Sequence, residues 1–437
     1  MTAMSHRSLE EPALKGNVCA RLPPLADGLA AAVAVSLPWS TSASGILIFL
    51  WLVALLPTLD VAAVRREVFS AAGGLPVLLW VLGAIGMLWA DVSWSERIAG
   101  MSSFHKLLVV PLLLAQFRRG GNVKWVLFGF LGSAGVLLAV SWFLVLTPGL
   151  TWRGKELGVP VKNYILQSEV FAICTFGLIA RALELMRGGW QRLLLMLAPA
   201  VLFVADIGYV ATSRTTLVVM AVLLLLLGVR QFGWKGALAA AVVGGVLAGV
   251  VWTSSPYLRE RVTRAFAEAE SYDPSHFHTS VGLRLEYWRK SLEFVAAAPV
   301  IGHGTGTVAK LFQRAATADT IPDAITGNPH SQMLNVALQL GIVGALVLVA
   351  MWIAHLALFR GGTLLAWLGL VVVVDNIVSS FFNSHLFDFT QGWLYVFSVG
   401  VIGGAVLRQA PRHTERSRQA AASRRGTVED ARAGDLA

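Results

Sequence analysis

The chain has 437 residues, 56% hydrophobic and 14% charged, with a formal net charge of +10. So little charge excludes a water-exposed globular surface, and the apolar residues gather in runs long enough to cross a bilayer core. Much of the positive charge sits after Val406, in Arg408, Arg412, Arg416, Arg418, Arg424 and Arg425, which reads as a topology anchor touching anionic membrane lipid and not as a nucleic-acid surface.

The runs are apolar on every side, as from Leu217 to Val229, which predicts helices, whereas a membrane barrel would alternate. The predicted class is an all-α polytopic membrane protein of about twelve transmembrane helices. They begin near Leu25, Ala43, Ala72, Phe104, Val123, Ile165, Leu193, Thr215, Gly236, Ser331, Thr363 and Phe389. The first, behind Arg7, Lys15 and Arg21, is read as an uncleaved helix because so many spans follow. Cys19 and Cys174 are poorly placed to meet, so no disulfide is expected.

Basic residues recur at every second turn: Arg65 and Arg66; Arg118, Arg119 and Lys124; Arg187 and Arg192; Arg230 and Lys235; Arg360; and the tail. The positive-inside rule therefore sets both termini in the cytoplasm. The predicted organisation is a cytoplasmic segment 1–24, spans one to nine over 25–253, a long external loop over 254–330, spans ten to twelve over 331–407, and a basic cytoplasmic tail 408–437. A connection of that length is usually functional. Ser255-Pro256 predicts one loop helix. A second starts near Ser280, and its apolar stripe of Val281, Leu285, Trp288, Leu292 and Val295 is expected to lie on the membrane or bundle, with Glu286, Lys290 and Glu293 on the solvated back.

Cations that break the positive-inside rule are the informative ones. Arg214 stands at the outer mouth of a helix; Arg153, Lys155 and Lys162 precede the sixth span; Arg259, Arg261, Arg264, Arg284 and Arg289 occupy the long loop. Guanidinium groups at this level suit an anion at the lipid surface, because the arginine fork grips phosphate bidentately. Arginines also snorkel to headgroups, and that reading weighs most on Arg153, Arg259, Arg261 and Arg264; Arg214 and Arg284 are the stronger site candidates. In Asn328-Pro329-His330-Ser331-Gln332, Asn328 can cap and Pro329 can open a helix, which sets His330 at its N-terminus as a neutral ring able to accept a proton. A histidine at an interface can also be only a hydrogen-bonding anchor. Gln332, Asn335 and Gln339 form a polar stripe expected to face protein.

Gly302-His303-Gly304-Thr305-Gly306 lacks the lysine and the preceding strand of a phosphate loop and is read as a tight turn, with His303 a possible pocket residue. His276 and His278 are weak metal ligands, and no Asp-x-Asp pair occurs in the external loops, so a reaction without metal or other cofactor is expected. No nucleophile elbow suggests a covalent intermediate.

Taken in order, Arg214 in Thr-Ser-Arg-Thr, Gly282-Leu283-Arg284 through Trp288, the Pro299 to Gly306 turn, and Asn328-Pro329-His330 to Gly341-Ile342-Val343-Gly344 resemble the O-antigen ligase and polymerase superfamily. The resemblance covers Ala211 to Gly344 and implies a GT-C-like membrane glycosyltransferase of the bacterial inner membrane with a periplasmic active site. It implies transfer of a glycan from undecaprenyl pyrophosphate to lipid A-core in lipopolysaccharide biosynthesis. The family's two arginines and one histidine fall on Arg214, Arg284 and His330; Arg289, Asn328, His303, Gln332, Lys162 and Arg153 are the expected substrate-binding residues. An O-antigen polymerase and a lipid-linked-glycan transporter are the alternatives.

Overall fold

The computed structural model describes residues 10–147, 149–150, 152, 156–186, 189–271, 279–316 and 322–409, with the backbone alone for 10–21. All regular structure among these residues is helical. In chain order the helices are α1 (Glu10–Ser36), α2 (Thr41–Leu55), α3 (Val61–Val68), α4 (Ala71–Gly86), α5 (Trp94–Ser102), α6 (Val109–Arg119), α7 (Val123–Leu146), α8 (Tyr164–Leu185), α9 (Trp190–Tyr209), α10 (Arg214–Ser254), α11 (Pro256–Glu270), α12 (Ser280–Ala297), α13 (Val308–Arg314), α14 (Gln332–Leu358), α15 (Leu364–Ser379) and α16 (Phe389–Gln409).

Among the described residues, seven helices are long and apolar enough to cross a bilayer, and up to nine spans result if the bent pairs α3–α4 and α5–α6 each count as one. The apolar segment Leu22–Ser36 of α1 and the whole of α15 are shorter. Large apolar side chains such as Phe49, Phe128, Leu195 and Leu247 point away from the protein. Water would not tolerate such a belt, so the chain is a multi-pass membrane protein. At the centre stand α8 and α16, the most enclosed of the long spans. Trp51, Phe104, Phe117, Trp367 and Tyr395 fill the main core between α2, α6, α15 and α16, and Phe171 and Phe203 join α8 to α9.

The 41 residues of α10 are not one straight rod. Gly233 takes φ +63, and the two halves fold back on each other: a methyl added at Gly228 or Gly236 would collide with the other's carbonyl oxygen. Two of the predicted spans are thus the arms of one hairpin. Its turn is tied to the α14–α15 connection by Arg230, whose Nη2 donates to the carbonyls of Gly361 (2.7 Å) and Thr363 (3.2 Å). Arg118 and Arg66 both pair with buried Glu67, and Arg408 donates to Gly121 O. Basic residues therefore hold together the end of the bundle opposite the long loop.

The stretch from Pro299 to Gly306, predicted as a tight turn, does turn, and it is inserted into a break in α14. At Gly341, φ +61 breaks α14, and the chain after α12 fills the gap. Ile342 N donates to Pro299 O (2.8 Å), and His303 N and Gly304 N donate to Leu338 O (2.8 Å) and Gln339 O (2.9 Å). Thr305 then reaches α4, with N to Gly86 O (3.1 Å) and Oγ1 to Gly83 O (2.6 Å). Carbonyls freed by the break are satisfied by the inserted strand of chain, as a buried backbone requires. A methyl at Gly341 would strike the Val300 carbonyl. Gly341→Ala is therefore expected to lower the detergent unfolding midpoint, with the positive φ alone costing about 1–3 kcal/mol, whereas Gly362→Ala, with open space around it, should leave the midpoint unchanged.

Candidate functional site

Three elements converge at the loop end of the bundle. The first is the start of α10, where Ser213 caps the helix by accepting from Thr216 N and Arg214 follows as the first helical residue. The second is α12, capped by Thr279, whose side chain accepts from Gly282 N (3.0 Å). The third is the chain just ahead of α14. Ser280 of α12 links the first two, its Oγ accepting from Arg214 Nη2 at 3.2 Å.

Along α12, Ser280, Arg284, Tyr287 and Trp288 recur at the three- and four-residue spacing that brings side chains to one face. Tyr287 stacks on the His330 ring, with centroids 5.8 Å apart and planes 16° from parallel, and Trp288 Nε1 donates to His330 O at 3.4 Å. Arg284, one turn earlier, is held below the usual arginine range by burial, and the Arg214 guanidinium adds to this. Two like charges kept close and partly dehydrated suit a polyanion.

His330 is not in the first turn of α14, which starts at Gln332. It has φ +53 and is the one non-glycine residue of positive φ among those described. Such a conformation costs about 1–3 kcal/mol and clusters at functional sites. Asn328, expected to cap α14, instead accepts from His330 N at Oδ1 (3.0 Å) and from Ser384 Oγ (2.7 Å). The ring Nδ1 lies 3.0 Å from Asn383 Oδ1, and Asn383 Nδ2 donates to Asp388 Oδ2 at 3.3 Å. Burial lowers the His330 pKa, the Arg284 charge lowers it further, and only the Asn383 bond opposes them. The ring is thus biased toward its neutral form, by burial first and by the Arg284 charge second.

The other expected residues fall in different surroundings. Lys162 is exposed at this mouth, near enough to act on Asp388, whose pKa burial raises and the charges of Lys162 and Lys106 pull back down. Gln332 is buried; its Oε1 accepts from Phe387 N (3.3 Å), and its Nε2 has no hydrogen-bond partner among the described residues. His303 is turned to α12, its Nε2 2.8 Å from Phe294 O. Arg289 forks onto Glu286 (2.6 and 2.8 Å) and reaches Glu293 (2.6 Å). Arg153, like His276 and His278, lies outside the described residues. The polar back of α12 differs from the predicted one, since Glu286, expected in solvent, is buried at 2% exposure.

Sequence reasoning missed Asn383, Tyr287 and Tyr164. Tyr287 was legible in principle, three residues beyond Arg284 on the same helix face. Tyr164 faces the Arg261 guanidinium at 4.3 Å and acts on Arg284, which draws Arg261 toward the cationic mouth. Deeper in, Glu169 of α8 and His385 come within 3.1 Å, both buried.

No curated protein matches the chain. Residues 194–349, from within α9 to within α14, match the sequence model described as O-antigen ligase. The stretch, about a third of the chain, holds Arg214, Arg284, His330 and the insertion at Gly341, and over it the chain is similar to the O-antigen ligase family.

Proposed function

We propose that the chain is a periplasm-facing glycosyltransferase of the bacterial inner membrane, of twelve passes and GT-C-like plan, that moves a glycan from undecaprenyl pyrophosphate to lipid A-core. The observation that carries this reading is the meeting of Arg214, Arg284 and a strained, neutral His330 at one end of the bundle. Twelve passes follow if α1, α15, both arms of α10 and the two bent pairs each cross once. The basic end tied by Arg118, Arg230 and Arg408 then faces the cytoplasm.

The acceptor hydroxyl gives its proton to His330 as its oxygen bonds to the anomeric carbon. The bond from that carbon to the pyrophosphate oxygen breaks, and its electron pair leaves with the pyrophosphate, whose charge Arg214 and Arg284 stabilise. Attack opposite the leaving group inverts the anomeric centre, with no metal and no covalent intermediate. Gln332 Nε2 offers a spare buried donor, and Lys162 a cation at the mouth.

Incubating the purified protein in detergent with donor and acceptor lipids, separately and together, tests the reading. Glycan on lipid A-core only when both are present is the expected result. Longer glycan from donor alone would select a polymerase. No product in any mixture would favour a transporter, which has no compartments to work across in detergent.

A further inference from the structure

We infer that Asn383 is a positioning residue that holds His330 in the tautomer protonated at Nδ1, leaving Nε2 as the nitrogen that takes the acceptor's proton. This deepens the proposed reaction and rests on His330 being its base.

Two backbone N–H groups, which can only donate, settle the direction of each bond. His330 N donates to Asn328 Oδ1 (3.0 Å), so the other end of that amide is the NH2 group, and it donates to Asn383 Oδ1 (3.1 Å). Ser384 N also donates to Asn383 Oδ1 (3.0 Å), while Asn383 Nδ2 faces the Asp388 carboxyl at 3.3 Å. The Asn383 oxygen is therefore fixed as an acceptor on the side of His330. The ring nitrogen 3.0 Å from it must carry hydrogen, because two acceptors cannot share one bond. A neutral imidazole with hydrogen on Nδ1 has its lone pair on Nε2. Stacking on Tyr287 and the Trp288 bond to His330 O keep the ring from rotating out of this frame.

The charged and titratable groups around the ring are Arg284 and Tyr287 from α12, Asp323 behind Tyr287, and His385 and Asp388 from the α15–α16 connection. Asp388 is the carboxyl joined to the imidazole through one amide, which suggests a test that preserves shape and charge count. The double exchange Asn383→Asp with Asp388→Asn keeps each bond between these residues but moves the negative charge next to Nδ1. An adjacent carboxylate favours imidazolium, so the acid limb of the kcat profile is expected to rise by about one pH unit or more. Asn383→Ala, which removes the acceptor, is expected to lower kcat by about 10- to 100-fold with the donor KM little changed. An acid limb unmoved in the exchange variant, or parental kcat in Asn383→Ala, overturns the inference. Full transfer by His330→Ala would instead overturn the base assignment on which it rests.

Discussion

His330→Ala is expected to lower glycan transfer by about 100- to 10,000-fold, the span that a general base contributes, while donor binding stays close to that of the parent. The asymmetry follows from the geometry. The ring is held by Asn383, Tyr287 and the turn at Asn328, whereas the proposed anion-binding task falls to guanidinium groups on α10 and α12. Parallel measurement of donor affinity and kcat separates the two. The pH dependence has a definite sign. His330 accepts a proton only when neutral, and burial with Arg284 lowers its pKa, so transfer should persist below the usual histidine range and fail only in more acidic buffer.

Arg284→Ala should have the second-largest effect, about 100- to 1,000-fold in kcat, the usual loss when one donor to a developing negative charge is removed. Arg284→Lys should recover little, because a compact ammonium cannot span two phosphate oxygens as the planar fork does. The same alanine variant carries a second signature. Without the neighbouring cation, imidazolium at His330 becomes easier to form, its pKa rises, and the acid limb moves to higher pH. A leaving-group arginine remote from the base would give the loss in rate without the shift. Arg214→Ala should lose rate to a similar degree and also release Ser280, which it now holds at 3.2 Å.

The long apolar helices were legible because lipid demands such runs and tolerates little else: seven, from α2 near Ala43 to α16 at Phe389, lie where the sequence predicts spans. Ser255-Pro256 likewise begins α11 as its capping chemistry implies, and α12 starts at Ser280 as the apolar stripe predicts. What the pattern could not show was the break at Gly341. A single glycine in an apolar run is commonplace, and the segment that fills the gap is some forty residues away in sequence. The wheel of α12 was misread for a different reason. Apolar side chains mark the buried face only where the alternative is water; beside lipid that inference loses its force, and Glu286 can be the inner residue with Arg289 and Lys290 to neutralise it. Asn383 had no local signal at all, since its meaning depends on a histidine 53 positions earlier in the chain. Arg214, Arg284 and His330 stood out because each breaks a rule of its surroundings, two by a charge where the alternation of basic turns predicts none and one by its place ahead of a helix.

The most direct measurement is transfer by the purified parent and by His330→Ala side by side in detergent, with undecaprenyl-pyrophosphate glycan and lipid A-core both present and donor binding recorded in the same samples. The account predicts glycosylated lipid A-core from the parent and almost none from a variant that still binds donor; equal product from both, or none from either, would contradict it.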